Sequence, residues 1–252
     1  MTMSNASNDR NHWSHVAREW IEWARRPGHD AFWAYRDSLV NFVGRGDGAA
    51  LDVGCGEGRV SRVLKGLGYR VTGSDPVTEL VKAATEADSA HDYAVADAAV
   101  LPFEDSRFDL IVAYNVLMDV DDIQATLQEL RRVLRPSGQL VISLVHPFAD
   151  RGTFAGTEPN SPFVLRGTYF GRQRFEGTEE RNGLQMHFAG WSQPLEAYAS
   201  ALEGAGLAIT SLREPLPDHV DGQDHLAQWT RVPLFLWLKA RPIEGKREPG
   251  RS

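Results

Sequence analysis

Nine residues, Leu51-Asp52-Val53-Gly54-Cys55-Gly56-Glu57-Gly58-Arg59, constrain this chain more than any other stretch. Residues 49–53 suit a buried strand, and Val60, Val63, Leu64 and Leu67 then recur at helical spacing, so the three glycines sit where strand becomes helix. A residue without a Cβ lets backbone approach a ligand closely, and the helix N-terminus behind it offers unpaired N–H groups and a partial positive charge. Such a turn suits the polar end of a nucleoside-like cofactor. Spacing narrows the choice, because dinucleotide turns follow G-x-G-x-x-G, whose third glycine lets the helix pack closely on the strand. Here Gly54, Gly56 and Gly58 give G-x-G-x-G, and Arg59 stands where that third glycine would fall, which argues against a pyrophosphate in the usual pose.

Downstream, strand and helix patterns alternate. Residues 69–74 form a short apolar strand ending in Asp75-Pro76, and Asp75 lies nineteen residues after Gly56, close to the interval at which a carboxylate meets ribose hydroxyls in this architecture. A helix is predicted over 77–87, with Asp75 as an alternative N-cap, and a third strand over 91–96 leads to Asp97. Residues 108–114 are a continuous apolar strand of the fully buried kind, with Asn115 just beyond it. Asp121 or Asp122 caps a helix carrying Ile123, Leu127, Leu130 and Leu134 on one face, and Arg135-Pro136-Ser137-Gly138 reads as a turn into the strand 140–145. This alternation implies a parallel doubly wound sheet, whose ligands bind beyond the carboxyl ends of its strands. Gly54, Asp75, Asp97, Asn115 and His146 all fall at such ends.

Before the first strand, Trp13, Val16, Ala17, Trp20, Trp23 and Ala24 recur at helical intervals until Pro27-Gly28, and Asp30 caps a second helix with Phe32, Tyr35, Leu39 and Phe42. These aromatics either pack against the sheet or form a lid over a ligand. The 252 residues are enough for one large domain or one domain with a substantial insertion. No run approaches the roughly 20 apolar residues of a membrane span, and residues 1–10, read as a disordered lead, have no signal-peptide core, so a cytoplasmic location is expected. The single cysteine, Cys55, excludes an internal disulfide and a zinc site built on several thiolates. A net charge of −7 lacks the broad basic face that nucleic-acid binding demands, so small-molecule substrates are favoured.

The run Leu51 to Arg59 closely resembles the first motif of class I S-adenosylmethionine-dependent methyltransferases. The likeness extends over residues 49–148: residues 107–113 and 130–140 resemble segments of the small-molecule methyltransferase domain family, type 11, with Ser137 where many relatives have glycine. The resemblance implies an α/β, Rossmann-like doubly wound sheet of seven strands, mostly parallel with the last strand antiparallel. It also implies S-adenosylmethionine as donor and S-adenosylhomocysteine as product. It assigns Asp75 to the ribose, Asp97 with Ala98 to the adenine amino edge, and Gly54, Gly56, Pro76 and Asn115 to the same cofactor site. The expected division is a helical lid (1–44), a cofactor-binding core (45–146), a cap insertion (147–191), a return to the core (192–241, with a helix over 194–203, a strand over 207–212 and a last strand over 232–238) and a dangling tail from Pro242.

The insertion carries Phe154, Phe163, Tyr169, Phe170, Phe175, Phe188 and Trp191 with Arg166, Arg172, Arg174 and Arg181, which points to an aromatic or anionic acceptor, unless the arginines merely balance Glu176, Glu179 and Glu180. Methyl transfer from a sulfonium needs position and desolvation rather than a protein nucleophile, but a hydroxyl or acidic C–H acceptor must lose a proton, a task that suits histidine. His146 at the end of the fifth strand and His187 in the insertion are the candidates, as base or substrate-orienting group, with a buried, hydrogen-bonded structural role as the alternative for His146. His12, His15 and His29 fall in or beside the first helices, Tyr35 and Arg36 are candidates for the cofactor carboxylate, and Asp119 for the acceptor. His219 and His225 with Asp218, Asp221 and Asp224 read as a polar loop, and no metal is assigned. The competing functions are a non-catalytic module that only binds the cofactor, an NAD(P)-dependent oxidoreductase, against which Arg59 speaks, and methylation of protein or tRNA, against which the acidic balance speaks.

Overall fold

Seven strands make the sheet, in the spatial order 207–213, 235–242, 134–145, 108–114, 49–53, 70–75 and 92–95. The computed structural model describes residues 8–218 and 224–243. Within it, α1 (Asn8–His15), α2 (Ala17–Arg25) and α3 (Ala31–Val43) precede β1 (Ala49–Val53), α4 (Arg59–Gly66), β2 (Arg70–Asp75), α5 (Thr78–Glu86) and β3 (Asp92–Val95). The chain continues through β4 (Phe108–Tyr114), α6 (Ile123–Val133) and β5 (Leu134–Val145). The small strands β6 (Gly152–Phe154) and β7 (Phe163–Leu165) pair with each other, as do β8 (Gln173–Arg181) and β9 (Leu184–Ser192). The last elements are α7 (Leu195–Gly204), β10 (Leu207–Arg213), α8 (Asp224–Ala227) and β11 (Phe235–Pro242).

Strand β1 sits centrally, parallel to both β2 and β4, and β11 runs antiparallel to both β5 and β10. Its side chains explain the two layers. Leu51 and Val53 join the core beneath α6 and α7, whereas Ala50 joins the core formed with α3 and α4 on the opposite face. Burial of Ile123, Leu127, Leu130 and Val133 on one side of α6 is the 3.6-residue repeat made solid, and Asp122 caps it by accepting the Ala125 N–H at 3.0 Å.

Several boundaries differ from the sequence expectation. The first predicted helix is two, because Val16 leaves helical geometry between α1 and α2. Leu134 is not on the α6 face but opens β5, and residues 135–138 do not turn: they belong to β5, across a shift of register against β4. Arg135 explains the difference, since its guanidinium grips the Asp109 carboxylate of β4 at 2.6 Å and keeps this stretch beside its neighbour. The final strand begins at Phe235 rather than 232, and Pro242, read as the start of the tail, still pairs with Leu207. Residues 244–252 of the tail, residues 1–7 of the lead, and His219 and Asp221 lie outside the described residues, as do the side chains of Asp224 and His225.

The insertion is anchored at its root and tip. Arg151, buried at 5% exposure, donates to the carbonyls of Thr168, Gly171 and Ser192. The β8–β9 hairpin turns at Asn182-Gly183, both with positive φ, as a tight hairpin requires. Its tip meets the first helices: Arg26 donates to Asn182 O at 3.0 Å and Arg181 to His29 O at 2.6 Å. Phe188 completes the contact, edge-on to Trp20 and Trp23.

Candidate functional site

Between the carboxyl ends of the strands and this roof of α1, α2 and the hairpin lies a cavity of about 1310 Å³. Its floor is the glycine turn. Gly54 has φ of +63°, and a Cβ there would come within 2.5 Å of the Val116 side chain, so only glycine gives the chain room to bend. Asp75 fastens the turn from below: one carboxylate oxygen accepts the Gly56 N–H and the other the Val77 N–H, both at 2.9 Å. It is therefore not the N-cap of α5, a position Val77 holds. Burial lifts the Asp75 carboxyl to about 6, against the pull of those two N–H groups. Behind it, Asp52 is pushed to about 7 by burial, with the Ser61 hydroxyl at 2.6 Å opposing and the Asp75 charge adding.

All seven residues expected to hold the cofactor, Gly54, Gly56, Asp75, Pro76, Asp97, Ala98 and Asn115, line this one cavity. Asp97 accepts the Ala99 N–H at 2.9 Å, which shapes the loop after β3. Asn115 adopts a left-handed backbone at φ +56° and is fixed by the Ser143 hydroxyl, which donates to its side-chain oxygen at 2.9 Å.

The histidines fall elsewhere. His146 is buried, but its Nδ1 accepts the Phe148 N–H and its Nε2 faces Glu214, both at 3.1 Å, and the residue does not line the cavity. An Nδ1 that accepts leaves the proton on Nε2, directed to Glu214, and burial lowers the pKa of the ring against that carboxylate. Exposed His187 shares a Thr178 hydroxyl contact at 3.0 Å and lies edge-on to His12, in a smaller recess with Asn11 and His15. Neither predicted base faces the main cavity. His29 is buried against Trp23, outside the cavity lining. Tyr35 and Arg36 also lie away from it: Tyr35 packs on Phe235, and Arg36 is exposed beside Asp37.

In their place the structure brings an ion pair. Arg59 meets Asp30 at 2.6 Å, with its guanidinium 4.7 Å from the Trp20 ring and 4.5 Å from Phe32. Burial disfavours the Arg59 charge, yet Asp30, with Tyr114 and Glu57 adding, more than restores it and the pKa stays above its ordinary value. Asp30 and Trp23 line the same cavity, and the second Asp30 oxygen and the Trp23 indole N–H are buried without a protein partner. Orphaned polar atoms around a cavity fit a ligand that carries its own donors and acceptors. Sequence reading reached Asp30 only as a cap and Arg59 only as a mark against dinucleotides. Among the described residues, no group of acids, histidines and cysteines is arranged to hold a metal ion.

Residues 51–142 match a family described as methyltransferase domain. The 2-methyl-6-phytyl-1,4-hydroquinone methyltransferase of Synechocystis is 31% identical over 196 residues, covering 75% of this chain and 51% of that protein. A malonyl-[acyl-carrier protein] O-methyltransferase of Salmonella typhimurium is 35% identical over 103 residues, covering 40% of this chain and 41% of that one. The chain thus spans about half the length, or less, of these curated relatives. Among solved structures, an S-adenosylmethionine-dependent methyltransferase from Mesorhizobium loti superposes with a TM-score of 0.66 at 23% identity, covering 84% of this chain and 98% of that one. Through residues 51–142 the chain matches the methyltransferase domain family, and its seven-stranded sheet with β11 reversed shares the fold of the Mesorhizobium loti methyltransferase.

Proposed function

We propose that the whole chain is an enzyme that moves the methyl group of S-adenosylmethionine onto a small molecule. The observation that carries this reading is the single cavity that joins the glycine turn and Asp75 to an aromatic-walled space under the roof. In it, the Asp75 carboxylate accepts from the two ribose hydroxyls, Asp97 and the Ala98 backbone meet the adenine edge, and Gly54, Gly56, Pro76 and Asn115 supply the surrounding wall. Arg59 and Asp30 present opposite charges to the zwitterionic end of the donor, a match of charge that a neutral pair would lack.

A sulfonium donor supplies a methyl group ready for in-line displacement. The protein's part is to hold the two reactants in line and to keep water out. Phe175, Phe188, Val120, Trp229 and Leu234 give the acceptor side of the cavity apolar walls, which supports an aromatic or otherwise apolar acceptor. The acidic net charge of −7 disfavours RNA. No helix among the described residues is long and apolar enough to cross a membrane.

The test is to incubate the protein with methyl-labelled S-adenosylmethionine and a host-cell extract and to fractionate by mass. Label in a low-mass compound is expected. Label confined to protein or RNA would replace the small-molecule reading, and no transfer despite cofactor binding would favour the non-catalytic module.

A further inference from the structure

With both histidines turned away, the acceptor side of the cavity still holds a group suited to proton transfer. Asp150 follows β5 in the one-turn helix Ala149–Arg151, its N–H on the His146 carbonyl at 3.2 Å, and its residue lines the cavity together with Val145, Asp119, Phe175 and Ala189. Its surroundings come from three elements. On its own turn lies Arg151, whose guanidinium donates to the Thr168, Gly171 and Ser192 carbonyls rather than to the neighbouring carboxylate. From the end of β9 comes Ser192, buried at 2% exposure. From α7 comes Tyr198, whose hydroxyl is pushed up first by burial and then by both Asp150 and Asp119, with Arg151 and Arg172 opposing. Burial raises the Asp150 carboxyl to about 7, against the Ser192 hydroxyl and the Arg151 charge. A carboxylate titrating there is ionised in good part at neutral pH and basic enough to accept a proton during reaction.

Resting on the methyl-transfer reading above, we infer that the Asp150 carboxylate is the catalytic proton acceptor of this cavity and that the methyl acceptor is an aromatic compound carrying a hydroxyl. The acceptor class follows from the base. An amine attacks through its lone pair and loses its proton afterwards from an acidic ammonium, so it needs no carboxylate at the moment of transfer. A phenolic hydroxyl, ordinarily ionising near 10, is mostly protonated at neutral pH and gains from a base in place. In the step, the acceptor O–H bond breaks and its proton passes to Asp150 while the oxygen pair forms the O–CH3 bond. The methyl–sulfur bond breaks with its pair left on sulfur, turning sulfonium into thioether. The proton then leaves Asp150 for solvent, one per methyl transferred.

Two measurements on the full chain test this. In the first, aspartate carboxyl carbons are labelled with 13C and the S-adenosylhomocysteine complex is titrated by NMR. Two carboxyls with midpoints near 7, those of Asp52 and Asp150, are expected in the wild type and in Asp119→Asn, and one of them is lost in Asp150→Asn while the other persists. If no such carboxyl is lost in Asp150→Asn, the inference falls. In the second, methyl transfer is measured with catechol, hydroquinone and 4-hydroxybenzoate against aniline and benzylamine. The phenols are expected to be methylated, with kcat lowered about 100-fold or more in Asp150→Asn, the rise in rate through about pH 7 lost, and S-adenosylmethionine KM within about threefold of wild type. Asp150→Glu should recover part of the rate, which separates chemistry from misfolding. A wild type that methylates the amines and not the phenols, or neither set, overturns the hydroxyl assignment. Failure of S-adenosylhomocysteine to bind at all would instead overturn the methyl-transfer reading, while the titration of Asp150 can still be read on the ligand-free chain.

Discussion

On the proposed reading, Asp75 carries two duties that pull its charge in opposite directions. Inside the ligand-free chain it is buried beneath the glycine turn, which favours the protonated form and sets its carboxyl at about 6. Toward the ribose it must be ionised, because a carboxylate accepts from two hydroxyls where a carboxylic acid spends one oxygen as a donor. S-adenosylhomocysteine affinity should therefore fall as pH drops through about 6, and calorimetric titrations across that range should show it. Stability without ligand should run the other way. Folded values of about 6 for Asp75 and about 7 for Asp52 lie above the ordinary 3.8, so their contribution is fully present below about 4 and is lost as pH rises through about 6 to 7. Asp52→Asn should flatten the fall in Tm between about pH 5 and about pH 8, read by scanning calorimetry, and an unchanged slope would contradict that reading. At this scale the residues that line the floor of the cavity were legible because local spacing defines them: glycines two apart and an acid at the end of the next strand. Asp30 with Arg59, twenty-nine residues apart, was not, since only packing of α3 over the turn brings the two together. Asp150 was hidden for a related reason: its proton affinity comes from burial in the folded chain, which no local pattern records.

Among the elements, the roof depends on a few cations. Arg25 of α2 donates to the buried Glu57 of the glycine turn at 3.0 Å and to Ala83 O of α5 at 2.8 Å, tying the lid helix to the core at two points. Its side chain is partly open to water and Glu57 keeps Arg62, so Arg25→Ala should cost only about 1 kcal/mol of global stability. Hydrogen exchange is the sharper probe: amides of α2 should exchange faster in the variant while those of β1 and β4 keep their protection. Arg151→Met should cost more, about 2–4 kcal/mol, because three carbonyls at the root of the insertion lose a charged donor and the site is buried. Denaturant unfolding measures it, and a loss under 1 kcal/mol would show that the insertion is held mainly by its aromatics. The strands were readable as continuous apolar runs. What escaped was register and ends: β5 swallows the expected turn because of the Arg135–Asp109 contact across strands, and α1 parts from α2 at Val16 where the apolar pattern runs on unbroken.

For the whole molecule, the order of strands places every candidate residue. With β1 central and its neighbours parallel, the ends of β1, β2, β3 and β4 open to one side, and Gly54, Asp75, Asp97 and Asn115 converge there from widely separated parts of the chain. The first helices and the β8–β9 hairpin close that side, joined by Arg181, Arg26 and the rings of Trp20, Trp23 and Phe188. The architecture could be inferred from alternation, whereas the meeting of lid and insertion depends on contacts between segments more than 150 residues apart in sequence. The most direct measurement is calorimetric titration of S-adenosylhomocysteine into the full chain and into Asp75→Ala. Saturable one-site binding by the wild type, weakened about tenfold or more in the variant, is the expected result. No binding of S-adenosylhomocysteine or S-adenosylmethionine by the wild type, or equal affinity in both proteins, would contradict the assignment of this cavity to the methyl donor.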